Sequence, residues 1–192
     1  MNAFEFHCPT RIICGEHALH KLPVILVEMG VTKPLVVTDA NLVALGITDH
    51  AVHRLTEAGF PFAFYDQVPP DSSLSVVNDV AAIYEQEGCD GFIAFGGGSV
   101  IDSCKAIAYG LAEPEHDVWE LYAGQRKAKA CFPVASVLTI AAAGSEMSNS
   151  CVITNTDTEE KRAYDDDLAR PKFAIMDPEL TSFKTMFDYK LE

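Results

Sequence analysis

A chain of 192 residues, 48% hydrophobic and 22% charged, has the composition of one sizeable globular domain, or of one domain with a short appendage. Its 14 basic and 28 acidic residues leave a formal charge of −14, which disfavours nucleic acid and anionic membrane as partners. No apolar run reaches the roughly 18 residues of a membrane span. Met1-Asn2-Ala3-Phe4-Glu5 lacks the basic and apolar regions of a signal peptide, so a soluble, cytoplasmic protein is expected.

Along the chain, apolar runs alternate with amphipathic stretches. Phe4, Phe6 and Cys8 alternate with polar residues and could add an edge strand. Residues 34–38 read as a buried strand. Residues 48–58 read as a helix capped by Thr48, with Val52 and Leu55 on one face and Gly59 at its end. Pro61 to Tyr65 is the next strand, followed by a Val68-Pro69-Pro70-Asp71 loop. A second helix covers 74–87, with Val76, Val77, Val80 and Ile83 as its apolar stripe and Gly88 as its stop. Gly91 to Phe95 forms a third strand that runs into Gly96-Gly97-Gly98, and a helix starts at Ser99. Strand-like runs recur at 133–140, 150–154 and 173–176, with a charged loop between the last two.

This order argues for an α/β domain with an open, mostly parallel sheet and helices on both faces, because strands covered on both sides read as near-continuous apolar runs. The domain is expected to span 1–181, with 182–192 as an irregular tail. Six dispersed cysteines form no CxxC pair and read as buried, reduced thiols. The acidic runs Glu159-Glu160 and Asp165-Asp166-Asp167 read as solvated surface. The His17/His20 and His50/His53 pairs read as surface positions rather than metal ligands.

Three segments carry chemistry. The first is Gly96-Gly97-Gly98-Ser99, where glycines follow a strand and open a helix. Bare backbone N–H groups and the helix dipole suit an anion such as a pyrophosphate. A tight turn with Ser99 as a plain N-cap is the alternative. Asp102 lies in the first turn, and Lys105 at i+3 can pair with it. The second is Asp39, at the carboxyl end of a predicted parallel strand. Its carboxylate could accept hydrogen bonds from ribose hydroxyls and would repel a 2′-phosphate, favouring NAD over NADP. It could equally cap the next helix. The third, Val137 to Met147, is rich in small residues and weak when read alone.

In this order and spacing the three segments resemble the iron-containing (group III) alcohol dehydrogenase family. Gly96 to Lys105 matches its GGGSxxDxxK motif, Gly144-Ser145-Glu146 its GSE segment, and Asp177-Pro178-Glu179-Leu180-Thr181 its DPELT stretch. Val137-Leu138-Thr139, with Met147, looks most like the butanol dehydrogenase and aldehyde reductase branch. The resemblance implies a Rossmann-like nucleotide-binding domain. It implies that Asp39 holds the adenosine ribose and that Gly97 and Gly98, with Ser99 and Asp102 beside them, meet the pyrophosphate. Thr139, Ser145, Val152 and Lys161 would lie along the rest of the dinucleotide. Without the resemblance, Lys161 reads as surface charge.

The sequence departs from the family pattern in places. Leu138 replaces a proline, Ala142-Ala143 replace a Gly-Thr pair, and the Asn-Pro loop becomes Pro70-Asp71, which puts that loop's cofactor contact in question. The implied activity is NAD-linked interconversion of a small alcohol and its aldehyde or ketone by hydride transfer. The family's iron or zinc sits in a following helical domain whose Asp and His ligands would fall past position 192. The chain alone is therefore expected to bind NAD weakly and to turn over little or nothing. Other expectations are a non-catalytic dinucleotide-binding module, a relative of glycerol dehydrogenase, glycerol-1-phosphate dehydrogenase or dehydroquinate synthase, and a possible homodimer.

Overall fold

The computed structural model describes residues 7–181, the side chain of Asn78 excepted. In chain order the strands are β1 (Arg11–Cys14), β2 (Pro34–Val37), β3 (Ala63–Tyr65), β4 (Gly91–Gly96), β5 (Val134–Leu138), β6 (Ser150–Asn155), β7 (Glu160–Asp165) and β8 (Phe173–Met176). The helices are α1 (Leu22–Glu28), α2 (Ala40–Ala44), α3 (Asp49–Glu57), α4 (Leu74–Glu87), α5 (Gly98–Ala112), α6 (Trp119–Tyr122) and α7 (Pro178–Thr181).

Six strands form one sheet in the order β1-β8-β5-β4-β2-β3, and every pairing in it is parallel. β2, β4 and β5 are buried along their whole lengths, which is why their sequences run apolar without alternation. Alternate residues feed two cores. Leu35, Val37, Phe92 and Ala94 pack with α4 and α5 on one face; Val36, Ile93 and Phe95 pack with α1 and α3 on the other. The expected α/β architecture with helices on both faces is the one observed.

Several boundaries and roles differ from expectation. Thr48 precedes α3 but makes no side-chain cap bond, and its backbone is already helical. The buried face of that helix is Ala51 and Leu55, with Val52 only partly covered. In α4, Tyr84 takes the core position at the end of the stripe, stacked on Phe92 with ring centroids 4.7 Å apart, and Ile83 is half-buried. The stretch read as a charged loop forms β7, which pairs antiparallel with β6 from Ser150↔Asp165 to Asn155↔Glu160. Burial along β7 alternates between half-buried and exposed, so its own residues carry no apolar signal.

The six cysteines are unpaired; Cys89, Cys104 and Cys151 are buried, whereas Cys14 at the end of edge strand β1 is exposed, contrary to the reading of uniformly buried thiols. Phe4, Phe6 and the tail 182–192 lie outside the described residues, and His7 and Cys8 belong to no strand. No described helix is long and apolar enough to cross a membrane.

The chain order places the site. From β2 the chain moves outward to β3, then returns across β2 to β4 and continues to β5. The direction of winding reverses between β2 and β4. At such a switch point the loops leaving the two strands diverge and open a crevice beyond their carboxyl ends.

Candidate functional site

An open cleft of about 260 Å³ lies at that reversal, just below the roughly 300–1,000 Å³ usual for ligand pockets. Its walls come from the carboxyl ends of neighbouring strands. Asp39 follows β2, Val68, Pro69 and Pro70 follow β3, Gly97 to Val100 follow β4, and Thr139 and Ile140 follow β5. Asn41 and Leu42 of α2, with Leu45 at its carboxyl end, complete the lining. The sequence reading missed this α2 wall. Its signal was present, since Asp39 was already a candidate cap and the apolar Leu42 and Leu45, three residues apart, lie in and at the end of the helix it starts.

Asp39 performs the capping role considered from sequence. Its Oδ1 accepts from Asn41 N–H at 2.9 Å and Leu42 N–H at 3.1 Å. Neither bond uses Oδ2, so capping does not preclude a ligand contact. Thr38, just before it, is fully buried, and its hydroxyl has no partner among the described residues.

The three glycines do different work. A Cβ on Gly96 would lie 2.6 Å from Val100 Cγ2, so this glycine lets the helix pack onto its own strand. A Cβ on Gly97 would lie 2.6 Å from Ile140 Cγ2. A Cβ on Gly98 would meet only Ala143, at 3.6 Å, so there the missing side chain leaves open space facing the cleft. The N-cap of α5 is Gly97, so Ser99 does not fill the N-cap position that the sequence left open as an alternative. Ser99 lies within the first turn, and its hydroxyl donates to the Pro70 carbonyl, tying the helix to the opposite wall. With no side-chain cap on Gly97, the first N–H groups of a 15-residue helix are left without a side-chain partner at the cleft floor.

Asp102 and Lys105 do not line the cleft; they organise what lies beside it. Lys105 is fully buried, and its ammonium donates to Ser145 O at 2.9 Å, Ser145 Oγ at 3.0 Å, Ser148 O at 3.0 Å and Ser150 O at 2.8 Å. Asp102 accepts from the Ser145 hydroxyl at 2.5 Å and from Val152 N–H at 3.0 Å. The two charged groups are 3.9 Å apart. Burial pushes the Asp102 carboxyl above its ordinary value, against the Ser145 and Val152 hydrogen bonds and the Lys105 charge. Burial likewise pulls Lys105 below its ordinary value, opposed by attraction to Asp102. This pair therefore fixes the backbone from 145 to 152, including Ser145 and Val152.

Of the nine residues read as cofactor contacts, Asp39, Gly97, Gly98, Ser99 and Thr139 share the cleft. Ser145 and Val152 are instead bonded to Asp102, and Lys161 on β7 makes an ion pair with Asp71 at 3.1 Å. Among the described residues no group of three or more His, Cys, Asp or Glu side chains is placed to hold a metal ion, so these residues offer no fit to the family's iron or zinc. Asp177, the first residue of the DPELT stretch, is buried after β8. It accepts from Leu19 N–H and Glu179 N–H, each at 3.1 Å, which joins α7 to the start of the domain.

Six parallel strands, helices on both faces and a glycine turn at the winding reversal define a Rossmann-like α/β domain. The chain belongs to the iron-containing alcohol dehydrogenase family, whose profile matches residues 9–178. It is 37% identical over 178 residues to the probable NADH-dependent butanol dehydrogenase 1 of Bacillus subtilis, covering 93% of this chain and 46% of that protein. Against the NADH-dependent butanol dehydrogenase B of Clostridium acetobutylicum it is 37% identical over 179 residues, covering 93% and 45%. The crystal structure of NADH-dependent butanol dehydrogenase A from Thermotoga maritima superposes with a TM-score of 0.86 at 33% identity, over 94% of this chain and 45% of that one. The chain thus spans about half the length of the curated relatives it matches.

Proposed function

We propose that this chain is the cofactor-binding half of an NAD-dependent alcohol dehydrogenase that interconverts a small alcohol and its aldehyde or ketone. One observation carries the reading: Asp39 and the Gly97-Gly98 turn, which follow different strands, border one cleft at the winding reversal. The bare helix N-terminus suits the pyrophosphate, and the free Oδ2 of Asp39 suits the adenosine ribose hydroxyls. Leu42, Leu45 and Val68 give the adenine an apolar wall, and Thr139, Ser145, Val152 and Lys161 extend toward the nicotinamide end. Bound NAD supplies the hydride acceptor; these residues hold and orient it. The unit that does so is residues 1–181. Relatives named as NADH-dependent butanol dehydrogenases support both the alcohol substrate and the choice of NAD.

Calorimetric titration with NADH and NADPH tests this. NADH binds in preference to NADPH, because a 2′-phosphate placed about 4 Å from Asp39 costs on the order of 4 kcal/mol before screening at an effective dielectric near 20. Asp39→Gly narrows the preference by about tenfold or more, while the lost cap costs only a few tenths of a kcal/mol of stability, roughly, because glycine is itself tolerated at an N-cap. An unchanged preference in the folded variant would remove Asp39 from the ribose site.

A further inference from the structure

The loop between β3 and α4 is fastened on both flanks. The Ser99 hydroxyl donates to the Pro70 carbonyl, and the Ser72 hydroxyl donates to the Ser99 carbonyl at 2.8 Å. On the other flank, Thr154 N–H donates to the Ser72 carbonyl at 2.8 Å. Between these anchors Asp71 follows Pro69 and Pro70, which line the cleft, and its Oδ1 lies 3.1 Å from Lys161 Nζ. Lys161 stands opposite Thr154 in the β6–β7 ladder, so the ion pair bridges the fastened loop and the hairpin. The Lys161 charge also reaches inward, favouring the ionised form of Asp102 beneath the Ser145–Val152 segment.

Among the described residues, none that lines the cleft is a lysine or arginine. Lys161 is a cation held by a carboxylate on the loop whose Pro69 and Pro70 line the cleft. Both side chains are largely exposed, at 58% and 79%, so the pair opens at small cost.

We propose that Asp71 is an affinity-determining residue: it competes with the anionic dinucleotide for the Lys161 ammonium. The proposal rests on the dinucleotide reading above and deepens it. When the cofactor binds, Lys161 leaves Asp71 for the ligand, and part of the binding energy goes into breaking that pair. A neutral residue at position 71 frees the lysine in advance.

NADH titration of the wild-type chain, Asp71→Asn, Lys161→Gln and the double variant, each checked for folding by circular dichroism, tests this. Asp71→Asn tightens NADH binding about two- to fivefold, the span of an exposed ion pair. Lys161→Gln weakens binding, and Asp71→Asn brings no gain in the Lys161→Gln background. An equal gain in both backgrounds shows that the carboxylate acts by repulsion alone and overturns the competition. No gain in either background overturns it too, while NADH binding itself keeps the cofactor reading standing. Folded variants that all fail to bind NADH overturn the cofactor reading, and this proposal with it.

Discussion

Replacing Lys105 with methionine is expected to destabilise the fold by about 3–5 kcal/mol, the cost of removing one partner from a buried charged cluster. The reason is specific to this ammonium. It is fully buried and is the donor to four oxygens contributed by Ser145, Ser148 and Ser150. Methionine fills a similar volume but donates nothing. It would leave three carbonyls without that donor and the Asp102 carboxylate without its counter-charge. Buried acceptors deprived of partners keep their full desolvation cost. For a domain of this size each kcal/mol moves the melting temperature by about 2–4 °C, so a fall of about 6 °C or more is expected.

Lys161→Met is the comparison. That lysine is 58% exposed, and its loss costs less than about 1 kcal/mol. If Lys105→Met does not fold at all, Asp102→Asn gives a milder measure, since it keeps the shape and one acceptor oxygen. Melting of Lys105→Met within a degree of the wild type would show that the 145–152 segment is held by something else. The same variant should weaken NADH binding, because Ser145 and Val152 owe their positions to this pair.

The parts of the fold that were legible in sequence are those whose pattern is set by their own burial. Leu35-Val36-Val37 and Phe92-Ile93-Ala94-Phe95 are covered on both faces, so every position is apolar and the strand shows in one short window. The α4 helix was legible because its stripe ends at Gly88, where φ is +63°. By contrast β7 has no pattern of its own. Glu160 to Asp165 becomes a strand because β6 offers it a ladder, and Glu160, Arg162 and Tyr164 are its half-buried positions, with Arg162 over the Trp119 ring at 5.9 Å. Helix α1 went unread for a related reason: Val24 and Val27 are exposed, which blurs its apolar face.

The candidate site divides in the same way. Asp39 and the glycine turn could be found because each sits where a strand ends. That they share one cleft follows from β2 and β4 being neighbours, a fact of strand order that no local window contains. The partnership of Asp102 with Ser145 and Val152 spans 43 and 50 residues of chain and had no local signal. Resemblance to the family supplied Ser145, Val152 and Lys161 as contacts. The geometry adds why two of them stand where they do.

Gly98→Ala is the second large effect, and it separates ligand approach from packing. The new methyl group meets only Ala143, at an ordinary 3.6 Å, and Gly98 is the first residue of α5 in a conformation other residues adopt. Folding stability should hold or rise by about 0.4–1 kcal/mol, because alanine restricts the unfolded chain more than glycine does. NADH affinity should nevertheless fall about tenfold or more, since the methyl group would occupy the space through which, on the proposed reading, the pyrophosphate reaches the helix N–H groups.

Gly97→Ala behaves differently. Its Cβ would press to 2.6 Å from Ile140 Cγ2, so stability and affinity fall together. Ile140 is 43% exposed and can be shortened without emptying the core. In Gly97→Ala/Ile140→Ala the melting temperature should recover while NADH affinity stays low. Thermal unfolding and calorimetry on the three variants decide the matter. If Gly98→Ala binds NADH as the wild type does, the pyrophosphate does not approach this turn, and the glycines serve the packing of α5 on β4 and β5 alone.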